Sequence, residues 1–86
     1  MNYFITAEKE VLKEVSADIY ADILRYMIAN EIDNDKKNPL YTLRNMVLEL
    51  GDSLIKNSDF TMDDLKTIKS KLDFIRDFFQ GVTNDA

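Results

Sequence analysis

Residues 38–81, NPLYTLRNMVLELGDSLIKNSDFTMDDLKTIKSKLDFIRDFFQG, decide the fold, because they carry a start, a restart and a stop for two successive helices. Asn38 offers a side-chain acceptor to the free N–H groups of a first helical turn, and Pro39, with no N–H to lose, suits the first helical position. From Leu40 onward Leu43, Val47, Leu50 and Leu54 recur at alternating three- and four-residue steps, which keeps one apolar stripe on one side of a helix. Thr61 opens the next helix. Asp63 and Asp64 follow in its first turn, where carboxylates complement the positive end of the helix dipole, and Phe60 and Leu65 are spaced for a hydrophobic staple. The same stepping continues through Leu65, Ile68, Leu72, Ile75 and Phe79. Gly81 is the permissive residue expected just past the end, leaving Val82 to Ala86 frayed.

Ahead of this hairpin, Leu12, Val15, Ile19, Ile23 and Tyr26 hold one helical phase, which predicts a helix from near Ala7 to near Ile32 with no Gly or Pro to interrupt it. Ser16-Ala17-Asp18 is the place for a break, since Ser and Asp side chains make local bonds that compete with helical ones. The expected fold is therefore all-α: an antiparallel helical bundle in one domain spanning 1–86, with four helices if the first segment breaks near Ser16 and three otherwise. Helices are expected over residues 7–32, 39–57 and 62–80. Tyr20, Leu24 and Ile28 form a second row on the first segment, so that segment is expected to meet more than one neighbour. The run from Asp33 to Asn38 reads as a polar loop. Asp33 and Asp35 imitate the opening of a calcium loop, but Asn38 stands in place of the turn glycine and Arg44 in place of the bidentate Glu, so no metal is expected.

Composition narrows the chemistry. The chain has no His, Cys or Trp, which excludes imidazole acid–base work, thiolate nucleophiles, disulfides and zinc sites built on His or Cys. No cofactor is expected. Asp63 and Asp64 are first-turn residues with no opposing carboxylate pair, so a hydrolase has little to build on and the chain is expected to be non-catalytic. Sixteen acidic residues against eleven basic ones give a formal charge of −5, which argues against nucleic-acid binding. No stretch approaches the roughly 18 apolar residues of a membrane span, and the start Met-Asn-Tyr-Phe-Ile-Thr lacks the basic region of a secretory signal, so a soluble cytoplasmic protein is expected.

The helix faces carry the remaining leads. Tyr41, Leu48 and Ile55 fall at seven-residue intervals away from the main stripe, so the 39–57 helix is apolar on two sides and is expected to be central, with both stripes buried. Gly51 borders the main stripe, and the cost of a glycine inside a helix, about 1 kcal/mol relative to alanine, suggests a close approach of a neighbouring backbone there. On the last helix Phe74 points away from the stripe and Phe78 lies at its flank. These two aromatics pack either on the first segment or a second copy, or they form a partner-binding patch rimmed by Lys71.

Asn38-Pro39-Leu40, the leucine-rich helix ending at Asn57, the restart Phe60-Thr61-Met62-Asp63-Asp64-Leu65 and the segment Tyr20-Ala21-Asp22-Ile23-Leu24 together resemble the immunity proteins that protect producers of pediocin-like bacteriocins, of the enterocin A immunity type. That resemblance implies a cytoplasmic four-helix bundle acting at the bacteriocin-bound mannose permease of the phosphotransferase system, touching the membrane only through that receptor. The function expected from it is bacteriocin immunity by binding, without catalysis. The alternative is an acidic helical adaptor or inhibitor that occupies another protein.

Overall fold

The computed structural model describes residues 3–33, 35 and 37–84, and places three helices along them: α1 (Tyr3–Ala29), α2 (Pro39–Lys56) and α3 (Met62–Asn84). There is no strand among the described residues. The start of α2 follows the capping rule closely. Asn38 is extended, its side-chain oxygen accepts from the Leu40 N–H at 2.8 Å, and Pro39 is the first helical residue. For α3, Thr61 Oγ1 accepts from the Asp64 N–H at 3.1 Å while the Asp64 carboxylate accepts from the Thr61 N–H at 3.0 Å. This is a reciprocal capping box with Asp in the place usually taken by Glu. The carboxylate thus satisfies a specific orphan donor besides complementing the dipole.

The four-helix alternative is overturned, because α1 runs unbroken through Ser16-Ala17-Asp18. Ser16 is 5 % exposed, and its Oγ donates to the Lys13 carbonyl at 2.9 Å. The bond that was expected to compete with the helix is made back onto the preceding turn of the same helix, so the hydroxyl is satisfied without a break. The helix stops instead at Glu31, the single described non-glycine residue with positive φ, at 53°. The Ile32 N–H donates to the Met27 carbonyl at 2.9 Å and the Glu31 N–H to the Ile28 carbonyl at 3.2 Å. These two bonds form a Schellman closure with Glu where glycine is usual.

The other end of the chain departs from expectation in the opposite direction. Gly81 lies inside α3, which continues to Asn84, and no described glycine has positive φ. A helical glycine costs conformational entropy but does not by itself force a stop. Val82 to Asn84 are thus helical rather than frayed, while Asp85 and Ala86 lie outside the described residues, as do Asn34 and Lys36 of the expected loop. Within that loop, Asp35 accepts from the Lys37 N–H at 3.0 Å and its carbonyl from the Asn38 N–H at 2.9 Å, a turn that delivers the chain to the α2 cap.

The core joins all three helices: Leu12, Ile19, Ile23 and Met27 of α1, Leu40, Leu43, Val47 and Leu54 of α2, and Leu65, Ile68, Leu72 and Ile75 of α3. Burying each such side chain contributes about 1.5–3 kcal/mol. Near one end, Lys9 meets Asn57 and Phe60; midway, Ser16 faces Gly51; toward the other end, the Tyr26 and Phe79 rings meet edge-to-face at 5.8 Å. The central helix is α1, whose length, about 40 Å at 1.5 Å per residue, lets it pack against both others, whereas α2 and α3 meet less extensively. The expectation of a central α2 is therefore corrected. Its second stripe is not interior: Leu48 and Ile55 are 45 % and 68 % exposed and only Tyr41 is half-buried.

Candidate partner-binding surfaces

Two surfaces on this bundle combine exposed apolar side chains with a cation. The first is on α3. Burial of Leu65, Ile68, Leu72 and Ile75 fixes the rotation of the helix, and that rotation turns Phe74 and Phe78 outward, 64 % and 45 % exposed. Their rings stand 6.4 Å apart at a 31° tilt, so they make one continuous aromatic ridge. Lys71 lies three and seven residues ahead of them on the same face and is exposed. It also lines a shallow cleft of about 280 Å³ with Met46, Glu49 and Leu50 of α2. Of the two accounts of these aromatics, packing onto the first segment is not what they do: Phe79, not Phe74 or Phe78, is the aromatic of α3 that packs against the core. Beside the ridge, Lys69 donates to Asp73 at 2.8 Å. That hydrogen bond holds the Asp73 carboxyl below its ordinary range and the Lys69 ammonium above its own.

The second surface lies between α1 and α2 and exposes Leu48 and Ile55, which were expected in the interior. Gly51 is where the helices come close: a Cβ there would stand 3.2 Å from Ser16 Oγ. The helices do come close here, but what Gly51 makes room for is the Ser16 side chain and not the neighbouring backbone that was expected. Outward of this contact a groove of about 210 Å³ is lined by Ala17, Tyr20, Leu48, Gly51 and Ile55, with Lys13 and Asp52 also on its walls. One turn before Leu48, Arg44 lays its guanidinium over the Tyr41 ring at 4.8 Å. Its Nε is buried and has no hydrogen-bond partner among the described residues. The signal for the apolar part of this surface was the Tyr41/Leu48/Ile55 spacing, which did not say that the stripe faces outward and gave no role to Arg44.

No group of three or more His, Cys, Asp or Glu side chains among the described residues is placed to hold a metal ion. Among them, too, no helix is long and apolar enough to cross a membrane. What both surfaces offer is shape, apolar area and single cations, which suits contact with another protein.

The chain is matched over residues 1–82 by a family model described as bacterial epsilon antitoxin. No curated protein and no solved structure matches it. The family match corrects the expected kinship with bacteriocin immunity proteins, and the mannose permease partner falls with it. Of the segments that carried that resemblance, Asn38-Pro39-Leu40 and the Phe60–Leu65 restart are the caps described above, and the leucine-rich helix and Tyr20–Leu24 supply core-facing stripes. Caps report how a helical hairpin is closed and carry no information about what its outer faces bind.

Proposed function

This chain belongs to the bacterial epsilon antitoxin family, and from that premise we propose that it binds a protein toxin and silences it by occupancy, without catalysis. The observation that carries the reading is the extent of the match, which takes in α1, α2 and all but the last two residues of α3. It favours the inhibitor alternative drawn from the sequence. Non-catalytic action accords with a side-chain repertoire lacking His and Cys. A toxin and its antitoxin meet in the cell that makes both, so the cytoplasm is the place of action in this reading.

Within it, Phe74 and Phe78 with Lys71 at their rim form a toxin-binding patch, supported by an exposed aromatic pair that the core does not use. An arrangement with α2 antiparallel to α1 and α3 accords with the contacts of Lys9 with Asn57, Ser16 with Gly51 and Tyr26 with Phe79.

The test is co-expression with toxins paired with members of this family, scored by relief of growth arrest and by recovery of a complex. Relief by at least one toxin is the expected result, and failure against every toxin by soluble, helical protein removes the reading. Replacing Phe74 and Phe78 together by Ala is expected to weaken toxin binding by about tenfold or more with the melting transition nearly unchanged. Unchanged binding would place the toxin elsewhere on the bundle.

A further inference from the structure

We infer that the α1–α2 groove and Arg44 together form a second docking surface for the toxin, which takes from it an amphipathic segment carrying a large apolar side chain and a carboxylate about 10 Å apart. The inference rests on the antitoxin reading and adds to it the chemistry of the bound segment. Three observations converge on the groove. Its lining is mainly apolar, it runs past the position where Gly51 has no side chain to set against Ser16, and it carries Leu48 and Ile55, both exposed.

The charge argument picks the occupant. Arg44 makes no ion pair among the described residues of a chain with formal charge −5, in which carboxylates outnumber cations. Its Nε has been taken out of solvent without a hydrogen-bond acceptor, and Tyr41 holds the guanidinium plane in place. An incoming carboxylate does not reach the buried Nε; it meets the terminal nitrogens of a guanidinium that has no ion-pair partner among the described residues and that the Tyr41 ring already orients. Arg44 as a whole is half-buried, so the side chain is reachable from the surface. The other charges at the groove do not compete for this role: Lys13 is held by Glu10 at 2.8 Å, and Asp52 is exposed to water.

Spacing sets the shape of the segment. Arg44 and Gly51 are seven residues apart on α2, about 10 Å along its axis at 1.5 Å per residue. A helix lying along the groove presents an apolar anchor and a carboxylate two turns apart on one face, which matches that distance.

The experiment titrates the purified toxin whose growth arrest this chain relieves against the intact chain and the variants Ile55→Glu, Arg44→Glu and Arg44→Lys. Ile55→Glu and Arg44→Glu are each expected to weaken binding by about tenfold or more, and Arg44→Lys by less, since it keeps charge but loses the fork. Reversing the matching carboxylate of the toxin to Lys is expected to restore binding to Arg44→Glu. If both charge-introducing variants bind within about twofold of the intact chain, the groove is idle and this inference falls while the antitoxin reading stands. If the intact chain binds no toxin, the antitoxin reading fails first and takes this one with it. Should sedimentation show a dimer that Ile55→Glu dissociates with toxin affinity unchanged, the face belongs to a second copy and the inference is overturned. Where Arg44→Glu lowers the melting temperature, Ile55→Glu decides, because that side chain is 68 % exposed and its replacement leaves the core alone.

Discussion

Lys9 on α1 donates from Nζ to the carbonyl of Asn57 at 2.6 Å, and the same ammonium stands 5.2 Å from the centroid of the Phe60 ring. Asn57 caps the C-terminus of α2, where free carbonyls gather negative potential, and Phe60 immediately precedes the Thr61 cap of α3. One cation thus closes the beginning of the first helix onto the connection between the other two. Lys9→Ala is expected to lower stability by about 1 kcal/mol, and Lys9→Met by less, because the methionine keeps the apolar stem over Phe60. Urea melts of the two variants against the parent measure the difference.

Leu72 and Leu50 separate a core position from a cleft position. Leu72 is fully buried, whereas Leu50 is half-buried on the cleft shared with Met46, Glu49 and Lys71. Leu72→Ala is expected to cost about 2–5 kcal/mol and Leu50→Ala clearly less, because water already reaches part of that side chain. Equal losses in denaturant melts would contradict the packing described for α2 and α3.

Glu31 pays for the Schellman closure with a left-handed backbone at φ 53°. Glu31→Gly is expected to stabilise the chain by about 1 kcal/mol, since glycine adopts that conformation without the Cβ clash and the position is exposed. A fall in the melting temperature would show that the Glu side chain supplies something the closure needs.

Gly51 and Ser16 are coupled by the 3.2 Å contact that a Cβ would make. In the parent, the helix-propensity gain of Gly51→Ala is offset by crowding against Ser16 Oγ, which its bond to the Lys13 carbonyl holds in place. In a Ser16→Ala background the crowding atom is gone, so Gly51→Ala is expected to add about 1 kcal/mol. A double-mutant cycle with no coupling would mean that the two helices separate enough to admit the methyl group.

The caps at Asn38 and Thr61 and the stripes of α2 and α3 were legible because each depends on residues within one or two turns of each other. The end of α1 was not, since Glu31 gives no sign in the sequence that it will take a left-handed conformation. Gly81 misled for the converse reason: it permits a stop that nothing at that point requires. The break offered at Ser16-Ala17-Asp18 does not occur, because whether the Ser16 hydroxyl interrupts a helix or folds back on the preceding turn depends on its buried place opposite Gly51. The phase of one stripe turned Phe74 and Phe78 off the core line but left open whether a neighbour covers them, which only the packing decides. The fate of Leu48 and Ile55 was no more legible, because a second stripe says that a helix has two apolar sides without saying how many neighbours it has. Family kinship was misjudged where capping signals stood in for surface chemistry.

Every ion pair found among the described residues lies within a single helix: Glu10 with Lys13, Asp22 with Arg25, and Lys69 with Asp73. Interhelical cohesion therefore comes from apolar contact and from the Lys9 closure, and raising the salt concentration screens pairs that do not hold the helices together. Lys9 aside, the paired charges of the exterior are mechanically uncoupled from the bundle beneath them. A lineage of such chains is free to rewrite its outer charges, one helix at a time, as a partner's surface drifts, without having to renegotiate the fold.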